Sequence, residues 1–153
     1  DRGSGLEPLN VGHSLAVTLA MLASKVRGKA AIVNLDVAHD LPLVNGVGAE
    51  LNQVWENVIH NALDAVSDGG QVTITGSHEG DFVVVRVIDN GPGIPPELQN
   101  RIFDPFFTTK PVGSGVGLGL DVARRLVVRH AGVITVMSEP GRTEFRITLP
   151  VAG

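Results

Sequence analysis

The sequence predicts an α+β fold: a two-layer α/β sandwich, with helices on one face of a mixed, mostly antiparallel sheet. Three observations predict it. Two long segments, residues 48–67 and 118–132, carry apolar residues at helical spacing. Residues 71–90 and 133–150 each hold two β-branched runs around a glycine-containing turn, and so read as hairpins. Strands joined that tightly run antiparallel, and helices gathered beside such a sheet must bury their apolar stripe against it.

The elements follow in order. "DRGSGLEPL", residues 1–9, is rich in Gly, Ser and Pro and reads as a linker before a single domain spanning residues 10–153. Residues 10–26 place Val11, Leu15, Val17, Leu19, Leu22 and Val26 at helix-like intervals. Residues 30–37 are β-branched and partly alternating, a strand, and "HDLPLVNGVG" after them supplies turn residues. A helix from Gly48 to Ser67 stops at "DGG". Between the hairpins lies "GPGIPPELQNRIFDPFFTTKPVGSGVG", glycine- and proline-rich, with one short helical piece near residues 95–101. A loop of that length inside a small domain is usually functional.

Composition narrows the classes. At 43% hydrophobic and 18% charged residues, the chain can bury a core and is not a disordered polymer. A net charge of −4 offers no general attraction to nucleic acid. The absence of cysteine excludes disulfides, thiol nucleophiles and thiolate metal sites, and is compatible with a reducing cytoplasmic location. The longest charge-free apolar stretch, residues 14–24, is short of the roughly 20 residues that span a bilayer. The domain is therefore expected to be soluble and not membrane-embedded, with any anchor of a parent protein outside this chain.

Four stretches carry chemistry. In "ELNQVWENVIHNALDAV", residues 50–66, Leu51, Val54, Trp55, Val58, Ala62, Ala65 and Val66 form one apolar face of a helix. Asn57, Asn61 and Asp64 share the opposite side, because offsets of four and seven return to nearly the same direction. Such a stripe fits either a solvated face or a Mg²⁺–phosphate site, since a carboxamide offers an oxygen to a hard cation and an N–H to phosphate. In "VIDNGPGIP", Asp89 ends a strand and Gly91 and Gly93 follow at two-residue steps. That pattern makes a plain turn, or else a carboxylate for an exocyclic amine beside backbone that a planar ligand can approach. "GSGVGLGL" sets Gly113, Gly115, Gly117 and Gly119 at alternate positions directly before a helix, an arrangement that binds anions. "FDPFFTTK" holds three of the five phenylalanines, as a loop-pinning cluster or a hinge, with Lys110 available to a phosphate.

In this order the stretches resemble the ATP-binding catalytic domain of sensor histidine kinases, a Bergerat-fold group shared with gyrase, the MutL proteins and a heat-shock chaperone. "QVWENVIHNALDA" resembles the family's asparagine box, "DNGPGI" its first glycine box, "FDPFFTTK" its phenylalanine box and "GVGLGL" its second glycine box. "SEPGRTEFRITLP" resembles its closing segment, so the likeness runs from about residue 10 to 150. The resemblance implies ATP and Mg²⁺ as cofactors, with Asn61 at the metal and Asn57 facing the triphosphate. It implies Asp89 on the adenine amine, Gly91, Gly93 and Ile94 bordering the base, and Thr143 holding water beside the aspartate. Gly115, Gly117, Leu118 and Gly119 would present amides to the phosphates with Leu120 next to them, and residues 104–116 would form a lid.

Asn57 also bears on the reaction. Where ATPase branches of the group carry a glutamate base, this chain has an amide that cannot activate water near neutral pH. The resemblance thus implies phosphoryl transfer to a histidine on a separate dimerisation domain, with a response regulator downstream. Alternatives are a serine or threonine kinase of the same fold and a nucleotide-sensing module. Two positions depart from the pattern: Asp64 stands where many such kinases have lysine, either beside the metal or solvated, and Arg142 directly precedes Thr143. Of the five histidines, His39 in "HDLP" lies in a turn and is a decoy for the acceptor, while His60 and His130 read as structural or surface residues.

Overall fold

Strand alternation sets the two layers. The computed structural model describes residues 5–105, 107 and 119–153. Strands β1 (Glu7–Leu9), β2 (Ile32–Val37), β3 (Val44–Gly46), β4 (Gln71–Glu79), β5 (Phe82–Asp89), β6 (Val133–Glu139) and β7 (Arg142–Pro150) are interleaved with helices. These are α1 (Val11–Met21), α2 (Ala23–Lys29), α3 (Gly48–Ala65), α4 (Pro96–Gln99) and α5 (Gly119–Arg129). The main sheet has the order β2-β4-β5-β7-β6, with β2 parallel to β4 and every other pairing antiparallel.

Successive residues of a strand point to opposite faces. On β5 and β7, Val83, Val85, Val87, Phe145, Ile147 and Leu149 are buried in one core with Leu51, Val54, Trp55, Val58, Ile59, Ala62 and Leu63 of α3. The alternate residues build an ionic lattice on the other face. Arg86 reaches Glu79 at 3.0 Å and Glu144 at 3.5 Å, while Arg146 and Arg142 close on the same two carboxylates. Arg86 and Arg146 face each other in register, so the glutamates between them offset a like-charge pair.

Helix α3 is sealed at both ends by side chains remote in sequence. It has no side-chain N-cap of its own, and the Val47 N–H donates instead to His130 Nε2 at 3.1 Å. The other ring nitrogen, His130 Nδ1, lies 2.7 Å from the Leu126 carbonyl, so His130 carries its proton on Nδ1. This buried histidine locks the start of α3 to the end of α5. At the far end of α3, Lys29 Nζ donates to the Val66 carbonyl at 2.7 Å, covering one of the helix's orphan acceptors.

Four local expectations change. Residues 7–9 are not linker but strand β1, paired with β3 inside the predicted turn. The helix expected over residues 10–26 is two helices, broken at Leu22, which ends α1 and opens α2. On α3, Ile59 and Leu63 are buried, whereas Ala65 is only half-buried. The apolar arc is wider than a single stripe because α3 packs on the sheet, on α1 and α2, and on α5.

Candidate nucleotide site

Asp89 is the last residue of β5, which aims its side chain into the helix-facing layer. It is 2% exposed. One carboxylate oxygen, Oδ1, accepts the Gly91 N–H at 2.9 Å. The other, Oδ2, is buried without a hydrogen-bond partner among the described residues. Burial pushes the Asp89 carboxyl above its ordinary 3.8, with the Gly91 N–H pulling the other way. A buried carboxylate oxygen left unpaired is costly, and it calls for a donor from outside the chain. Asp121 Oδ1 is also buried and unpartnered, but Asp121 sits in the first turn of α5, where the helix dipole favours a negative charge. Its other oxygen meets Arg125 at 3.3 Å, whereas Asp89 has no cation beside it among the described ion pairs.

The glycines after Asp89 are required by close backbone approach. A Cβ on Gly91 would lie 2.7 Å from the Ala65 carbonyl at the end of α3. Gly93 has φ +90°, and a Cβ there would strike the Glu139 carbonyl of β6. The loop is thereby drawn between α3 and the β6–β7 hairpin. Two side chains pin it: Ser138 Oγ accepts the Ile94 N–H at 2.8 Å, and Gln99 Nε2 donates to the Ile94 carbonyl at 2.8 Å. Ser138 Oγ is also 2.7 Å from Thr143 Oγ1, and Thr143 pairs in register with Asp89. A part-buried hydroxyl pair therefore stands beside the unpaired carboxylate. Gly93→Ala combines a left-handed backbone with a backbone collision and should cost about 3 kcal/mol. Denaturant unfolding followed by the single, buried Trp55 measures this, and a loss under about 1 kcal/mol would contradict the geometry.

The polar stripe of α3 continues the site. Ala65 touches the Gly91 loop, and Asn61 and Asn57 follow toward the start of the helix, ~6 and ~12 Å further along its axis. Asn61 is half-buried, and its side chain makes no hydrogen bond among the described residues. Asn57 Nδ2 donates to the Gly119 carbonyl at 2.9 Å, tying α3 to the first turn of α5. Asp64 is half-buried on the same stripe. Its carboxylate meets Lys25 of α2 at 2.6 Å and His60 at 3.3 Å, an ion cluster joining α2 to α3.

The structure thus gathers Asp89, Gly91, Gly93, Ile94 and Thr143 at one end, and Asn57 and Gly119 at the other, with Asn61 between. Leu120 turns its side chain to the core, which leaves only its backbone for a ligand. Lys110, Gly115, Gly117 and Leu118 lie outside the described residues. Ser138, Gln99 and Gln53 were not singled out by sequence. Their roles depend on partners across the sheet or on amide orientation, which no spacing pattern records. Among the described residues no group of three or more His, Cys, Asp or Glu could hold a metal. The carboxamides of the stripe are oxygen donors of the kind a hard ion such as Mg²⁺ accepts beside phosphate oxygens. No helix among the described residues is long and apolar enough to cross a membrane.

Known proteins share this sequence pattern and fold. Residues 46–153 match the family described as histidine kinase-, DNA gyrase B- and HSP90-like ATPase. The sensor kinase CckA of Brucella abortus (strain 2308) is 37% identical over 148 residues, covering 86% of this chain and 16% of that protein. The chain therefore spans a small part of such relatives. The catalytic domain of the histidine kinase ThkA superposes with a TM-score of 0.86 at 27% identity, covering 95% of each chain. ThkA solved in complex with the response regulator TrrA superposes with a TM-score of 0.83 at 26% identity, over 96% of this chain and 42% of that one. Fold and sequence converge: the chain belongs to the histidine kinase-, DNA gyrase B- and HSP90-like ATPase family, as an ATP-binding domain of the sensor histidine kinase type.

Proposed function

We propose that this chain binds Mg–ATP and supplies its γ-phosphoryl group to a histidine on a dimerisation domain elsewhere in the parent protein, from which a response regulator draws it. The observation that carries the reading is Asp89 Oδ2, a buried carboxylate oxygen with no partner among the described residues, at the end of a strand followed by two glycines, Gly91 and Gly93, fitted to backbone. The exocyclic amine of adenine supplies the missing donor. Thr143 and Ser138 offer hydroxyls to the rest of the base edge, directly or through water.

At the other end, Asn57 donates to phosphate and Asn61 is the residue to hold Mg²⁺. A bound Mg²⁺ there would neutralise charge on the phosphate oxygens. In the transfer, the bond from the γ-phosphorus to the bridging oxygen breaks, a histidine nitrogen of the acceptor domain takes the phosphoryl group and releases its proton, and ADP leaves. This chain contributes by binding, orienting and excluding water. Position 57 holds an amide rather than a base, and Glu56 stands roughly 100° round the helix, so neither position offers a carboxylate to activate water. The solved neighbours named as histidine kinases favour a histidine acceptor over a serine or threonine one.

Calorimetric titration tests the first half. ATP should bind more tightly with Mg²⁺ than with a chelator, and GTP, whose base presents a carbonyl where adenine has its amine, should bind at least about tenfold more weakly. Equal affinity for ATP and GTP would remove Asp89 from the recognition of the base.

A further inference from the structure

Two identical side chains, Asn57 and Asn61, face the same way one turn apart, yet their hydrogen bonding differs. Gln53, one turn before Asn57, donates from Nε2 to Asn57 Oδ1 at 2.6 Å. Asn57 in turn donates from Nδ2 to the Gly119 carbonyl at 2.9 Å. The two ends of a carboxamide are told apart by their partners. A peptide carbonyl only accepts, so the end of Asn57 that meets Gly119 is its NH₂ group. Its oxygen then faces Gln53, which must present its own NH₂. The donor direction Gln53 to Asn57 to Gly119 is set by the carbonyl at its end.

We infer that Gln53 is a positioning residue for the phosphate end of the site, holding the Asn57 amide so that Asn57 meets the nucleotide as a hydrogen-bond donor. The inference rests on the nucleotide reading above. With Oδ1 occupied by Gln53 and one N–H by Gly119, Asn57 keeps one further N–H to give. That group suits a phosphate oxygen and repels a cation. Asn61, whose side chain has no hydrogen bond among the described residues, keeps its oxygen for a hard ion. Gln53 thus divides the labour between the two asparagines and ties the phosphate-facing amide to the first residue of α5. A purely structural pair at this spacing would support helix α3 and nothing else.

The test uses the full chain with saturating Mg²⁺, titrated with ATP and separately with adenosine. Gln53→Ala releases the Asn57 amide and should weaken ATP about fivefold, and Gln53→Glu, which draws the Asn57 NH₂ toward itself, about tenfold or more. Adenosine affinity and melting temperature should stay close to wild type. In an Asn57→Ala background, Gln53→Ala should have no further effect on ATP, because its action passes through Asn57. The assignment is overturned if both Gln53 variants bind ATP like wild type while Asn57→Ala does not. It is equally overturned if Gln53→Ala weakens ATP as much without Asn57 as with it, or weakens adenosine to the same degree. A wild-type chain that binds no ATP overturns the nucleotide reading, and this assignment with it.

Discussion

Asp89→Asn will lower ATP affinity more than a hundredfold and leave the fold at least as stable at neutral pH. The substitution keeps an oxygen for the Gly91 N–H but places an NH₂ group where Oδ2 awaits a donor. The adenine amine then loses a charge-assisted bond and meets another donor, together worth about 3 kcal/mol or more. Stability moves the other way. Because burial raises the Asp89 carboxyl above 3.8, the folded chain holds this proton at pH values where the unfolded chain has released it. Its contribution to stability therefore falls as pH rises from about 3.8 through the raised folded value, and stays unfavourable above it. Asparagine has no such term. Melting curves between pH 4 and pH 8 should show the variant gaining on wild type as pH rises. An unchanged ATP affinity, or a variant that is less stable at pH 7 than wild type, would contradict the role given to Oδ2.

Asn61→Ala has the second large effect, and it separates the metal from the base. Asn61 makes no side-chain hydrogen bond among the described residues and lies on the half-buried polar face of α3. Removing its amide should therefore leave melting unchanged or slightly raised, since alanine is the better helix former by about 0.5 kcal/mol. Adenosine should bind as before. The enhancement of ATP binding by Mg²⁺ should disappear, and phosphoryl transfer to a supplied histidine domain should fall by roughly 10² to 10³, the worth of several kcal/mol of charge stabilisation. Magnesium titrations of ATP binding by wild type and variant check this. If Mg²⁺ strengthens ATP binding equally in both, the metal is held elsewhere.

The parts of this molecule that were legible in sequence are those with local causes. Helix α3, its asparagine stripe and both hairpins follow from spacing, because a period of 3.6 or 2 writes itself into consecutive residues. Asp89 was legible as an acceptor at a strand end. That its second oxygen is buried and unpaired was not, since burial is decided by α3 and the β6–β7 hairpin closing over it. Strand β1 escaped for a similar reason: Glu7, Pro8 and Leu9 have no alternation to read, and only pairing with β3 makes them a strand. The break at Leu22 carries neither glycine nor proline to announce it. Asp64 was left between a metal and solvent because Lys25, the cation that meets it, lies on another helix. Ser138, Gln99 and Gln53 have one lesson in common, that a hydrogen-bond network is defined by partners and not by spacing.

The most direct measurement of the central claim is transfer of labelled γ-phosphate from ATP, mixed with this chain and the separately produced histidine domain of its parent protein. The expected product is a labelled histidine domain whose phosphate is labile to acid and stable to base, formed only with Mg²⁺ and lost with Asp89→Asn. Label that appears as inorganic phosphate, with the histidine domain unmodified, would contradict it.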